Sequence, residues 1–123
     1  MNKKEGKMAS SSYKNLIVWQ KAIDIVELVY LITDQFPKSE MYGLASQMRR
    51  CAVSIASNIA EGYRLNGQKE KLRFLSISFG SGAELETQII ISKRLDFVPT
   101  EQYNILDALL EEVMRMLNKM VNG

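Results

Sequence analysis

The chain has no histidine, one cysteine, two prolines and one tryptophan among its 123 residues. Lacking histidine, it cannot run imidazole acid–base chemistry or build the common zinc-ligand sets. The lone Cys51 cannot close an internal disulfide, which fits a reducing compartment, and its place on an apolar stripe reads as a small buried residue rather than a reactive thiol. No apolar run approaches the ~20 residues that cross a bilayer, and the lysine-rich start is not followed by the apolar region of a signal peptide. A soluble cytoplasmic protein without membrane contact is expected. Pro37 and Pro99 are the only prolines, so long segments are left free to run as helix.

Sites for chemistry are equally scarce. No segment alternates like a strand, and no phosphate loop or nucleophile–base arrangement is present. Gly80-Ser81-Gly82 resembles a glycine-rich loop only superficially, because it sits inside helical periodicity with nothing strand-like before it. Glu84 and Glu86 have no histidine to complete a di-iron site of the bundle type. The expectation is a non-enzymatic protein that needs no cofactor.

What is present is helical periodicity. From Leu44, the residues Met48, Cys51, Ile55 and Ile59 recur at three- and four-residue steps, with Ala52, Ala56 and Ala60 beside them. From Lys69, the residues Leu72, Leu75 and Phe79 keep the same rhythm, and Ser76, Gly80 and Ala83 form a slim row. Slim rows let helix axes approach closely, so these two helices are expected to be tightly packed antiparallel neighbours. The first of them should run from about Met41 to Glu61, stopping at Gly62 in a left-handed cap. The second should run from about Gln68 to about Leu95, roughly 40 Å at about 1.5 Å per residue.

Two further helices flank this pair. One is placed from about Asn15, as N-cap, to about Gln35, and carries more apolar surface than one neighbour can bury. The other begins at Thr100, read as its cap with Glu101 in the first turn, and carries two seams that share Leu106 and Val113. One seam closes the bundle, and the apolar excess on the first and last helices is expected to be covered by another subunit. Residues 1–13, with the run Ser10-Ser11-Ser12, lack apolar periodicity and are read as a mobile arm; residues 14–123 form the domain. The fold class that follows is all-α, a bundle of four helices with an antiparallel central pair.

Sixteen basic against fourteen acidic residues leave a formal charge of +2, too little by itself to indicate a nucleic-acid partner. The distribution is less even. Arg49, Arg50, Arg64, Lys69, Lys71 and Arg73 lie on the central pair, several of them at its hinge beside Tyr63, whose ring can stack on a base. Lys69 and Lys71 oppose the macrodipole at a helix start, which suggests another purpose for them. An ordinary solvated turn is the competing reading. Glu86 either pairs with Arg49 or Arg50 or lies at the edge of its stripe in water. Ser54, Asn58 and Glu61 form a polar row that either fixes helix register or meets a partner.

The strings Trp19-Gln20-Lys21-Ala22, Gln47-x-Arg49-Arg50, Asn58-Ile59-Ala60-Glu61-Gly62 and Gly80-Ser81-x-x-Glu84-Leu85-Glu86 together resemble the four-helix-bundle family encoded in intervening sequences of bacterial 23S rRNA genes. This family is also called the S23 ribosomal protein family, and it is similar to the accessory variability determinant of diversity-generating retroelements. The resemblance implies an antiparallel up-down four-helix bundle assembled as a homopentamer, without known catalytic activity. In the retroelement branch it implies nucleic-acid binding through basic surfaces and association with a reverse transcriptase. Carried onto this chain, binding of RNA or DNA falls on Arg49, Arg50, Arg64, Lys69, Lys71 and Arg73. Gly82 stands where the family commonly has a larger residue. A protein-interaction scaffold without nucleic-acid binding is the alternative.

Overall fold

The computed structural model describes residues 12–64 and 67–123. Four α-helices account for most of them: α1, Ile17–Thr33; α2, Leu44–Arg64; α3, Gln68–Arg94; and α4, Asn104–Asn122. Among the described residues there is no strand. Short 3-10 turns, Tyr13–Asn15, Lys38–Glu40 and Thr100–Tyr103, precede α1, α2 and α4. The expected arm lies outside the described residues except for Ser12, whose side chain accepts from the Lys14 amide, and Tyr13, whose ring meets Trp19 edge-on at 5.4 Å.

Each neighbouring pair of helices runs antiparallel, as the cross-helix contacts record. Between α2 and α3, Ser54 Oγ and Ser81 Oγ lie 2.8 Å apart, and Ser78 Oγ donates to the Ile55 carbonyl at 2.8 Å. Further along the same seam Gly62 faces Lys71 and Phe74, so positions rise on one helix as they fall on the other. Between α3 and α4, Ser92 meets Tyr103 while Gly82 meets Met114. Lys21 on α1 pairs with Glu112 on α4 at 3.2 Å. The order is therefore up-down-up-down, with α1 beside α2 and α4.

The core contains the apolar stripe of α2, where Met48, Cys51, Ala52, Ile55, Ala56 and Ile59 are all buried. Facing them are Val18, Ala22, Ile25 and Val29 of α1, Leu75, Leu85 and Ile89 of α3, and Leu106, Leu110, Val113 and Leu117 of α4. Phe36 and Phe97, in the two connections at one end, stack tilted with centroids 5.1 Å apart and close that end of the bundle. The buried hydroxyls have partners: Thr33 donates to the Val29 carbonyl at 2.7 Å, and Ser92 donates to Ile89 at 2.8 Å and meets the Tyr103 hydroxyl, whereas the buried Gln88 Oε1 has none. Buried hydroxyls that bond a nearby carbonyl satisfy the oxygen without interrupting the helix.

Several expectations change. The helix expected to stop at Gly62 continues to Arg64, and Gly62 does not have the positive φ of a left-handed cap. Its value lies in close approach, because a Cβ there would stand 3.2 Å from both the Lys71 carbonyl oxygen and Phe74 Cβ. The positive φ falls instead on Gly67, at 102°, just before α3. The slim row Ser76, Gly80 and Ala83 is exposed rather than packed on α2, and a Cβ on Gly80 would meet nothing. The close-packed face is the one that carries Ser78, Ser81 and Gly82, where Met114 occupies the space beside Gly82. Thr100 does not cap α4, which follows a 3-10 turn and has no side-chain cap. Asn15 is likewise not the N-cap of α1; Leu16 holds that position.

Candidate nucleic-acid interface

Gly62 lets the first turns of α3 lie against the last turns of α2, with Lys71 and Phe74 beside it. Arg64, Lys69, Lys71 and Arg73 are thereby collected at one end of the bundle. Arg64 and Lys69 are exposed, and the Arg64 guanidinium sits 6.0 Å from the centroid of Tyr13, a residue that its sequence context places in the arm. Lys71 Nζ lies 4.6 Å from the centroid of Tyr63. Burial raises the Tyr63 phenol above its ordinary range, so its hydroxyl stays protonated at neutral pH. Tyr63 is half-buried, with the Lys71 ammonium over its ring, which leaves it a poorer stacking platform than the sequence suggested.

Arg73 is engaged locally. Its Nε and Nη2 donate to the two carboxylate oxygens of Glu70 at 3.1 and 3.2 Å, and its guanidinium lies 4.5 Å from the Phe74 centroid. The hydrogen bond from Arg73 holds the Glu70 carboxyl below its ordinary value. Glu70 thus offsets part of the positive charge of the turn.

Arg49 and Arg50 do not join this cluster. They lie near the opposite end of α2, about 22 Å from Arg64 at about 1.5 Å per residue. Arg49 is half-buried, donates from Nε to Thr33 Oγ1 at 2.9 Å, stacks 4.6 Å from the Tyr30 centroid and reaches Asp34 at 3.9 Å. Its partner is therefore the end of α1, not Glu86, which is exposed beside Ile90 and Lys93. Arg50 is exposed between two grooves, near Val53 on one side and Cys51 on the other. Burial, then the neighbouring Glu84 carboxylate, push the Cys51 thiol up to about 11. Ser54 and Asn58 do connect, since the Asn58 amide donates to the Ser54 carbonyl at 2.8 Å, whereas Glu61 is exposed.

Sequence reading missed the exposed aromatic Tyr42, 96% accessible beside Arg49 and Arg50. A single tyrosine in a turn carries no periodicity that would have revealed it. Among the described residues no group of three or more His, Cys, Asp or Glu side chains is disposed to hold a metal ion. No described helix is long and apolar enough to cross a membrane.

An up-down bundle of four helices with a cationic end defines a class of small helical proteins. The sequence profile of the 23S rRNA-intervening sequence protein family matches residues 14–119, and the chain belongs to that family. The fold is similar to the 1.70 Å crystal structure of a protein of unknown function from the S23 ribosomal protein family of Bacteroides thetaiotaomicron. The two agree with a TM-score of 0.78 at 20% identity, over 87% of this chain and 100% of that one. No curated protein matches the chain by sequence.

Proposed function

We propose that this protein is a non-enzymatic, oligomeric nucleic-acid-binding factor of the cytoplasm that holds phosphates at the α2–α3 turn. The observation that carries the reading is the convergence of Arg64, Lys69, Lys71 and Arg73 on one end of the bundle, with Arg64 and Lys69 exposed and not ion-paired among the described residues. Cations so arranged displace counterions from a phosphate backbone, and the resulting affinity is salt-dependent and largely indifferent to sequence. Arg49 and Arg50 stand outside this site, Arg49 because it is committed to α1. Family resemblance supports five copies per assembly, which would repeat the cationic turn around an axis, and a reverse transcriptase as a protein partner.

The test is binding of the purified protein to structured RNA and to duplex DNA across a salt series, with mass measured by light scattering in the same buffer. Replacing Arg64, Lys69, Lys71 and Arg73 by glutamine should lower affinity at least tenfold and flatten the salt slope while the mass is unchanged. Binding that survives these substitutions, or its absence at low salt, overturns the reading. The second outcome favours a protein-interaction scaffold, for which the exposed apolar residues Leu31 and Ile105 are the supporting observation.

A further inference from the structure

Two surfaces of this chain have opposite charge and a similar apolar character. The groove between α4 and α1, of about 720 Å³, has a floor of Leu28, Ala108 and Leu109, with Ile105 71% exposed at its edge. Its rim carries Asp24, Glu27 and Glu112. Lys21 pairs with Glu112, whereas Asp24 and Glu27 have no ion pair among the described residues. The outward face of α2 offers the counterpart: Arg50, exposed and likewise without an ion pair among them, with Val53 and Tyr42 beside it in a second groove of about 540 Å³.

We infer that the α4–α1 groove of one copy receives the Arg50–Val53–Tyr42 face of a second copy, Arg50 meeting Asp24 and Glu27. This rests on the oligomeric part of the function proposed above. Within one chain Glu27 shares a groove with Arg49, α2 lies diagonally across from α4, and Arg50 makes no ion pair with the rim carboxylates of its own copy. Only another copy supplies the complement. Arginine and tyrosine against an apolar pocket is the composition that dominates binding energy at protein interfaces, and opposed charges fix the register. Nucleic acid suits the α2 face less well, because its single exposed cation stands among apolar side chains. Because the two surfaces differ, the contact is head-to-tail: it leaves one of each kind open on every pair and is completed only by closing a ring.

Two charge-reversed variants test this at exposed positions, Arg50→Glu and the double variant Asp24→Lys with Glu27→Lys, with helicity followed by circular dichroism. Each alone should weaken self-association at least about a hundredfold, giving monomers at micromolar concentration. Combining all three substitutions in one chain should restore assembly, since every junction then again joins opposite charges whatever the number of copies in the ring. An oligomer indifferent to both reversals, or a folded combined variant that stays monomeric, overturns this interface while leaving the oligomer itself standing. A native protein that is monomeric in sedimentation overturns both.

Discussion

Arg49 reaches 16 positions back along the chain to donate its Nε hydrogen to Thr33 Oγ1 at 2.9 Å, while the same threonine donates to the Val29 carbonyl at 2.7 Å. The guanidinium thus ties α2 to the last turn of α1 and, lying over Tyr30, covers that end of the seam. Arg49→Ala removes the bond and the ring contact but leaves Thr33 its internal partner. Urea unfolding should show a loss of about 1–2 kcal/mol, and nucleic-acid affinity measured in the same buffer should be unchanged.

Gly80 and Gly82 sit two positions apart on α3 and should respond oppositely to alanine. A Cβ on Gly80 points into open space, so Gly80→Ala should raise stability by about 0.5–1 kcal/mol through helix propensity. A Cβ on Gly82 collides with Met114 Sδ, so Gly82→Ala should destabilise, and a Met114→Ala partner should recover part of the loss through coupling between the sites. Thermal midpoints of the native protein, the three single variants and the Gly82→Ala/Met114→Ala double give the answer; equal effects at the two glycines would contradict this packing.

Glu70 holds Arg73 through two hydrogen bonds at the cationic turn. Glu70→Gln leaves the arginine available to phosphate and removes one negative charge. Affinity for duplex DNA should rise, and the salt slope should steepen by about 0.9 for each further phosphate that the protein neutralises. Salt titration of the native protein and the variant measures both.

Cys51 titrates at about 11 in the folded protein against 9.0 for a free thiol. The unfolded chain therefore releases its proton first, and between these values the unfolded state binds fewer protons than the native one. Stability from this group is full below pH 9 and lost as pH rises toward 11, by roughly 2–3 kcal/mol in all. Comparison with Cys51→Ala isolates the effect from other groups, since the variant should show a shallower decline over the same interval in chemical denaturation.

The helices themselves were legible because their apolar residues recur at three- and four-residue steps, and α3, expected from Gln68 to about Leu95, runs Gln68–Arg94. Which slim face of α3 turns inward was not. Ser76, Gly80 and Ala83 match Ser78, Ser81 and Gly82 in size, and the choice depends on partners supplied from other helices: the Ile55 carbonyl for Ser78, the Ser54 hydroxyl for Ser81 and the Met114 thioether for Gly82. Gly62 was misread because a glycine near a helix end satisfies the statistics of a cap, while its actual demand comes from a backbone 3.2 Å away on α3. The candidate site divided for a related reason. Arg49 and Arg64 stand 15 positions apart on one helix, but their charge and spacing do not say that Thr33 of α1 claims the first.

The up-down path has an electrical consequence for how the molecule meets a charged partner. The end formed by the α2–α3 turn carries Lys14, Arg64, Lys69, Lys71, Arg73 and Lys119 against Glu61 and Glu70, whereas toward the far end Asp34, Glu40, Asp96, Glu101 and Asp107 balance Lys38, Arg49, Arg50, Lys93 and Arg94. A rod so charged has a dipole along its length although its formal charge is only +2. In the field of a polyanion it turns end-on before touching, so low salt accelerates encounter far more than it slows escape. Orientation, rather than total charge, then decides which end arrives first.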